Sequence, residues 1–382
     1  MVLVINFSAV RTSGTRNYCE GFINALPECH EGENLIVLLP ADIYAKLSEK
    51  VFVGCRFYTS VFFRSSPTRI FWEQFILPCK LLQWRASAIL SGFDIATLLS
   101  PIPVLLAVRN PMPIHLNKGW HSNSVMKIVR AYLQKWIAHL STVKAKRVFY
   151  PTFYAAETLG AVFNVPSAKI RVINHGVDFF FLRPKTIYNL VPTTYGLVLG
   201  QYFLFVSMLY YYKRPDKLIQ AFAIHSEFYR ARKIKVAIVG GGVDPKYFAQ
   251  LQVLVEQHGL EDSVKLLGFV PKDHLPSLYA GARAFVLPTI LETFGQPFVE
   301  ALAAGLPIIA ADLPFAREVC GDAALYFAAD RVDQLAEVMK TVCEDDLLLQ
   351  KLHAKSESRS GNYSWSREAR ETIQLLRDVS QL

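Results

Sequence analysis

Residues 283–311 read R-A-F-V-L-P-T-I-L-E-T-F-G-Q-P-F-V-E-A-L-A-A-G-L-P-I-I-A-A. R-A-F-V-L is a strand pattern that stops at Pro288, which has no N–H for a ladder. The loop T-I-L-E-T-F-G-Q follows. Pro297 suits the first helical position, where its missing N–H would have had no partner. Gly305 suits the helix end, and Pro307 blocks continuation. A second strand pattern covers 307–310. Strand, loop, helix and strand in one short run is the unit of a parallel sheet covered by helices.

Two acids stand in this otherwise apolar unit: Glu292 in the strand-to-helix loop and Glu300 in the first helical turn. Both can face one crevice at a strand end. The free N–H groups of the helix start, with its dipole, attract an anion such as a diphosphate. Gly295 lets backbone approach a ligand closely. Carboxylates accept hydrogen bonds from hydroxyl pairs, so two of them suit a sugar and a ribose. The plainer reading is a solvated loop acid and a helix N-terminal charge partner; placement in a strand–loop–helix with F-G and a proline favours a ligand.

The same alternation runs along the 382-residue chain. Strand patterns are expected at 2–7, 34–39, 94–99, 103–108, 147–150 and 170–173. After a break they resume at 202–207, 234–239, 263–267, 283–287 and 307–310. Helical periods lie between most of them. Two such series predict two doubly wound parallel sheets, one per domain, which is an α/β fold. Ligands of open parallel sheets lie beyond the carboxyl ends of the strands, so two facing sheets would offer a cleft with one wall each. The linker is expected within 176–199. The uncharged run 195–212 nearly reaches the length of a membrane span, but Gly196, Gly200 and Gln201 interrupt it, and a turn plus a short interior strand is the better reading. The last helix is expected over about 365–380, with Ser364 or Ser366 as its N-cap.

Charge is uneven. Residues 1–190 hold 21 Lys+Arg against 10 Asp+Glu, or +11, and the remainder holds 20 against 22, or −2. A basic half suits an anionic partner. Two amphipathic candidates lie there, R-I-F-W-E-Q-F-I-L-P-C-K-L-L-Q-W-R at 69–85 and M-K-I-V-R-A-Y-L-Q-K-W-I-A-H-L at 126–140. Aromatic residues interleaved with cations fit an anionic bilayer surface or a lipid-diphosphate acceptor. Apolar faces packed on the core would also account for them. No nucleic-acid module is recognisable. The six cysteines form no C-x-x-C pair, which excludes the usual zinc and disulfide frameworks and suits a reducing, cytoplasmic compartment. The opening M-V-L-V-I-N-F-S-A-V has no basic n-region, so a buried strand is expected rather than a secretory signal.

E-T-F-G-Q-P-F-V-E-A-L-A-A-G-L-P-I-I-A resembles the donor-site signature of the retaining glycosyltransferases of family 4, which have the GT-B fold. F-L-F-V-S-M-L-Y-Y-Y-K-R-P-D-K-L-I-Q-A-F, V-A-I-V-G-G-G, L-L-G-F-V-P-K-D-H-L-P-S-L-Y and G-D-A-A-L-Y-F resemble further segments of that donor domain, in order. K-I-R-V-I-N-H-G-V-D resembles the close of the acceptor domain, and Y-S-W-S-R-E-A-R the helix that crosses back to it. Residues 147–382 match closely and 1–146 in outline. The resemblance implies an acceptor domain over 1–178 with the helix 365–382 returning to it, and a nucleotide-sugar domain over 199–360.

By that resemblance Glu300 holds the ribose hydroxyls and Glu292 the donor-sugar hydroxyls. Phe294, Gly295 and Gln296 form the loop whose backbone meets sugar and phosphate. Lys213 neutralises the diphosphate, the backbone of Val270 meets the base, and Gly14 in R-T-S-G-T-R-N-Y belongs to the loop that covers the diphosphate. Met208 stands where many members have Arg, and Arg214 is a candidate replacement. R-N-P-M-P stands where many have a His, so Arg109 or Asn110 falls near it, with His115 and His121 nearby. Lys213, Glu292 and Asn110 are the catalytic candidates.

The implied reaction moves a hexose, first of all mannose from GDP-mannose, onto a glycan or lipid-linked acceptor in polysaccharide synthesis. It needs no metal or other cofactor, and it would run in the cytoplasm or on the cytoplasmic membrane face. A nucleotide-sugar epimerase and a silent sugar-nucleotide-binding subunit are the rivals. A nicotinamide enzyme is disfavoured because V-A-I-V-G-G-G-V-D-P has Pro245 where the fingerprint needs its third glycine.

Overall fold

The computed structural model describes residues 1–29, 32–47, 54–117, 125–177, 191–242 and 244–382. The chain divides into two compact units, Met1–Gly176 with Tyr363–Leu382, and Val177–Asn362.

The first unit holds β1 (Val2–Asn6), β2 (Asn34–Leu38), β3 (Cys55–Tyr58), β4 (Ala88–Ser91), β5 (Val104–Ala107), β6 (Arg147–Tyr150) and β7 (Ile170–Val172). They form one sheet in the order β3-β2-β1-β4-β5-β6-β7, and every pairing is parallel. The strand expected at 94–99 is absent; the sheet takes A-I-L-S one turn earlier. Asp94 instead adopts a left-handed φ of 53° and its Oδ1 accepts the backbone N–H groups of Arg109 and Asn110. That turn ends any ladder. β3 and β4, like the second unit's Ala324–Phe327, are not among the expected strands; pairing with neighbouring strands, not a local period, makes them part of a sheet.

Helix Trp365–Ser380 completes this unit from the far end of the chain. Ile373, Leu376 and Val379 are wholly buried in the same core as Leu3, Ile5 and Phe22. Its first residue is wedged against two glycines: a Cβ on Gly21 would lie 2.2 Å from the Trp365 ring, and one on Gly176 2.3 Å from its backbone nitrogen. Ser364 occupies the N-cap, without a side-chain cap bond.

The second unit holds β8 (Tyr202–Val206), β9 (Lys235–Val239), β10 (Val264–Gly268), β11 (Ala284–Leu287), β12 (Ile308–Ala311) and β13 (Ala324–Phe327). Its all-parallel order is β10-β9-β8-β11-β12-β13. The uncharged run thus supplies an interior strand, as expected of Y-F-L-F-V. Among the described residues no helix is long and apolar enough to cross a membrane. Much of the expected linker, 178–190, lies outside the described residues. In both sheets the winding reverses beside the first strand, between β1 and β4 and between β8 and β11. Such reversal points open a crevice at the carboxyl ends of the strands.

Candidate functional site

The loops leaving β8 and β11 flank the reversal point of the second sheet. Their backbones are tied together: Ile290 N–H and the Thr289 hydroxyl both donate to the Tyr212 carbonyl, at 3.0 and 3.3 Å. Leu209 N–H donates to the Gly241 carbonyl at 3.0 Å, which joins the loop after β9. Lys213 ends the short 3-10 turn Tyr211–Lys213, and Arg214 then takes a left-handed φ of 56° before helix Pro215–Ile224. This scaffold brings the Lys213 ammonium onto Glu292 Oε1. Both residues are 8% exposed, so the pair lies at the base of the loops rather than in open solvent.

Helix Gln296–Ala303 begins one residue earlier than expected. Pro297 is therefore its second residue, and Glu300 opens the second turn. Gly295 immediately before it has φ 84°, a conformation that costs a side-chain-bearing residue energy. The Tyr279 hydroxyl donates to Glu300 Oε2 at 2.9 Å. Burial first, then the neighbouring carboxylate, raises the Tyr279 pKa well above that of an ordinary phenol, so it stays a donor. Tyr279 closes the segment L-L-G-F-V-P-K-D-H-L-P-S-L-Y but is not among the expected site residues, because no local pattern links it to Glu300. Phe294 is buried, Gln296 and Val270 are partly exposed, and Val270 follows β10.

Arg214 is directed elsewhere. Its guanidinium donates to the Ala329 carbonyl at 2.8 Å and to Asp330 Oδ1 at 2.9 Å. The structure therefore gives it a partner other than Glu292.

Gly14, Arg109 and Asn110 belong to the first unit. Gly14 is the second residue of helix Ser13–Ala25, after β1, in a start where Thr12 and Thr15 cap each other. No atom lies within 4 Å of the position a Cβ would take there. Arg109 turns inward: its guanidinium lies 3.4 Å from the Tyr18 ring centroid and 3.9 Å from Glu368. Glu368 also accepts from Gly176 N–H at 3.0 Å and pairs with His175 Nδ1 at 3.0 Å. Asn110 is exposed, and its Oδ1 accepts from Met112 N–H at 3.0 Å. His115 lies in helix Met112–Asn117, whereas His121 lies outside the described residues. Among the described residues no group of three His, Cys, Asp or Glu could hold a metal ion.

Residues 200–359, which contain Lys213, Glu292 and Glu300, match the family described as glycosyl transferases group 1. This segment is similar to the domain that defines that family. The chain is 27% identical over 63% of its length, and 63% of the relative's, to an O-antigen chain mannosyltransferase B of Escherichia coli. It is 26% identical to the O-antigen chain mannosyltransferase RfbU of Salmonella typhimurium, over 89% of this chain and 90% of that one. The chain thus spans a little under two thirds of the first relative and nearly all of the second. Among solved structures, the Anabaena protein HepE in complex with UDP and glucose superposes with a TM-score of 0.74 at 18% identity, covering 99% and 100% of the two chains. Sucrose-phosphate synthase from Thermosynechococcus elongatus gives 0.76 at 15% identity over 99% and 98%. At these identities the likeness shows the fold alone, and the two doubly wound units are those of the GT-B class.

Proposed function

We propose that the chain is a retaining hexosyltransferase that moves mannose from GDP-mannose to a hydroxyl of a glycan or lipid-linked oligosaccharide in polysaccharide synthesis. The observation that carries this reading is the meeting of Lys213, Glu292 and the Glu300 helix at the β8/β11 reversal point. A nucleotide-diphosphate sugar asks for a cation at its diphosphate and acceptors at its two carbohydrate rings, and these residues supply both. Lys213 meets the phosphate oxygens, Glu292 the donor-sugar hydroxyls, and Glu300, oriented by Tyr279, the ribose. Negative charge grows on the leaving diphosphate as the glycosidic bond breaks, and a fixed cation with nearby N–H donors stabilises it. In this reading no metal takes part, and the enzyme works at the cytoplasmic membrane face. The names of the two O-antigen relatives support mannose and polysaccharide; the UDP in the HepE complex supports a nucleotide at this fold.

A thermal-shift screen of nucleotide sugars tests the donor, since a ligand of the folded state raises Tm by mass action. GDP-mannose is expected to give the largest rise, followed by labelled product when a lipid-linked acceptor is added. A response to UDP-glucose but not to GDP-mannose would replace the donor. Binding without transfer would leave a silent subunit, and recovery of an isomerised donor would make the protein an epimerase.

A further inference from the structure

Helix Val125–Lys144 has a buried face and an outward apolar face. One carries buried Ala138, Ser141 and Thr142. The other looks outward: Met126, Val129, Tyr132, Leu133, Trp136 and Val143 are between 47% and 80% exposed. At 3.6 residues per turn these six fall within roughly a third of the circumference. Single exposed apolar residues need no explanation, but a continuous row along a whole helix does.

A second helical segment exposes a similar row. Phe71 and Phe75, with ring centroids 5.2 Å apart, and Leu82 are 52–63% exposed. Both segments are laced to the same stretch of chain. Gln74 bonds to the Ala96 carbonyl and Leu98 N–H at 3.0 and 2.7 Å, Ser141 Oγ accepts from Ala96 N–H at 3.0 Å, and the Lys144 ammonium donates to the Ser100 carbonyl at 2.9 Å. Leu99 in that stretch is 57% exposed.

Charge selects the occupant. Val125–Lys144 contains Lys127, Arg130, Lys135 and Lys144 and no Asp or Glu. A second copy of this helix would bring four more cations and no carboxylate to pair with them, so a self-contact gains no ion pair from it. An anionic bilayer supplies what both features lack, negative headgroups above and hydrocarbon below. Tyr and Trp settle at that boundary, and long basic side chains reach its headgroups.

We propose that the outward face of Val125–Lys144, with Phe71, Phe75 and Leu82, is a monotopic docking face for anionic phospholipid. The inference deepens the reading of a lipid-linked acceptor and locates the surface on which it would be met.

The test is flotation of the full chain with phosphatidylcholine vesicles, with and without phosphatidylglycerol. The wild type is expected to float at least about tenfold more with the anionic lipid, since each near-surface cation contributes. Leu133→Glu with Trp136→Glu is expected to lose that binding, and Arg130→Glu to weaken it. Trp136 emission is expected to shift to the blue on vesicle addition, a change missing in Trp136→Phe. Equal flotation of wild type and the Leu133/Trp136 variant overturns the proposal. So does a wild-type dimer in light scattering that the same variant dissolves, which would make the face a self-contact. Nucleotide-sugar thermal shift on each variant reports folding and the donor site separately. Failed flotation with an intact nucleotide response sinks the docking face alone, and the reverse sinks the transferase reading alone.

Discussion

Lys213 and Glu292 hold one another across 79 residues of sequence. Each has a second expected duty toward the donor, so removing one tests chemistry and packing together. Lys213→Ala should lower kcat by about 10²–10³ with the fold retained, measured by transfer from labelled donor. It also leaves Glu292 with little water and no ammonium, so a stability loss of about 1–3 kcal/mol should accompany it and be relieved by adding Glu292→Gln. Near-normal turnover would remove Lys213 from the mechanism. Tyr279→Phe deletes the hydroxyl that orients Glu300 and should raise the donor KM about tenfold while leaving kcat nearly unchanged. His175 offers a pH readout. Burial is the larger influence on it and lowers its pKa below the ordinary 6.5, although Glu368 pulls the other way and Arg109 adds to the lowering. The unfolded chain then binds a proton that the folded chain resists, so stability is present above that pH and falls as pH drops below it. Urea midpoints should decline from about pH 7 to about pH 5, and His175→Gln should reduce the slope. Equal slopes would clear His175 of the effect.

Short elements carry their constraints in glycine. Gly295 sits at φ 84°, and a Cβ there would lie 2.6 Å from the Phe298 ring. Gly295→Ala should therefore cost about 1–2 kcal/mol of strain and displace the loop that holds Glu292. Loss of the nucleotide-sugar thermal shift, out of proportion to the fall in Tm, is the expected signature; an unchanged shift would free the loop of any part in binding. Asp94 shows the same economy in the first unit. Its one carboxylate oxygen shapes the chain after β5 by taking two consecutive N–H groups. Its pKa is raised by desolvation, against the pull of those two bonds. The segment reads as a strand from its apolar composition, but the chain turns at Asp94 and side chains of Gln74 and Ser141 take the backbone groups of Ala96 and Leu98.

The molecule is interleaved: the first unit ends at Gly176, and the chain returns to it at Tyr363. Glu368 accepts from Gly176 N–H and so joins the leaving and returning segments inside one unit. Ile373, Leu376 and Val379 then bury against the β1 side of the core. Each fully buried aliphatic contributes about 1.5–3 kcal/mol, against a typical net stability of about 5–15 kcal/mol for a domain. Deleting residues after Asn362 should therefore unfold the first unit and spare the second. Limited proteolysis is expected to leave a fragment near Val177–Asn362 and digest the rest. Survival of both units would mean that the returning helix is dispensable.

The parallel class, most strands, the loop–helix bearing Glu292 and Glu300, and the last helix are legible in the chain, while that helix's return to the first unit is implied there only by the resemblance. They rest on signals carried by consecutive residues: alternation, the 3.6 period, Pro297 near a helix start and Gly305 past its end. The missed strands Cys55–Tyr58, Ala88–Ser91 and Ala324–Phe327 join their sheets by pairing with β2, with β1 and β5, and with β12, which no local pattern announces. The pairings Lys213–Glu292, Tyr279–Glu300 and His175–Glu368 leave no such trace, because each depends on which distant strand or helix becomes a neighbour. Resemblance could name Lys213, but it could not show Arg109 turned onto Tyr18 or Arg214 onto Asp330. Backbone sterics act between adjacent residues and can be read in order. The partner of a buried charge is chosen by the packing of the whole sheet, which no single segment encodes.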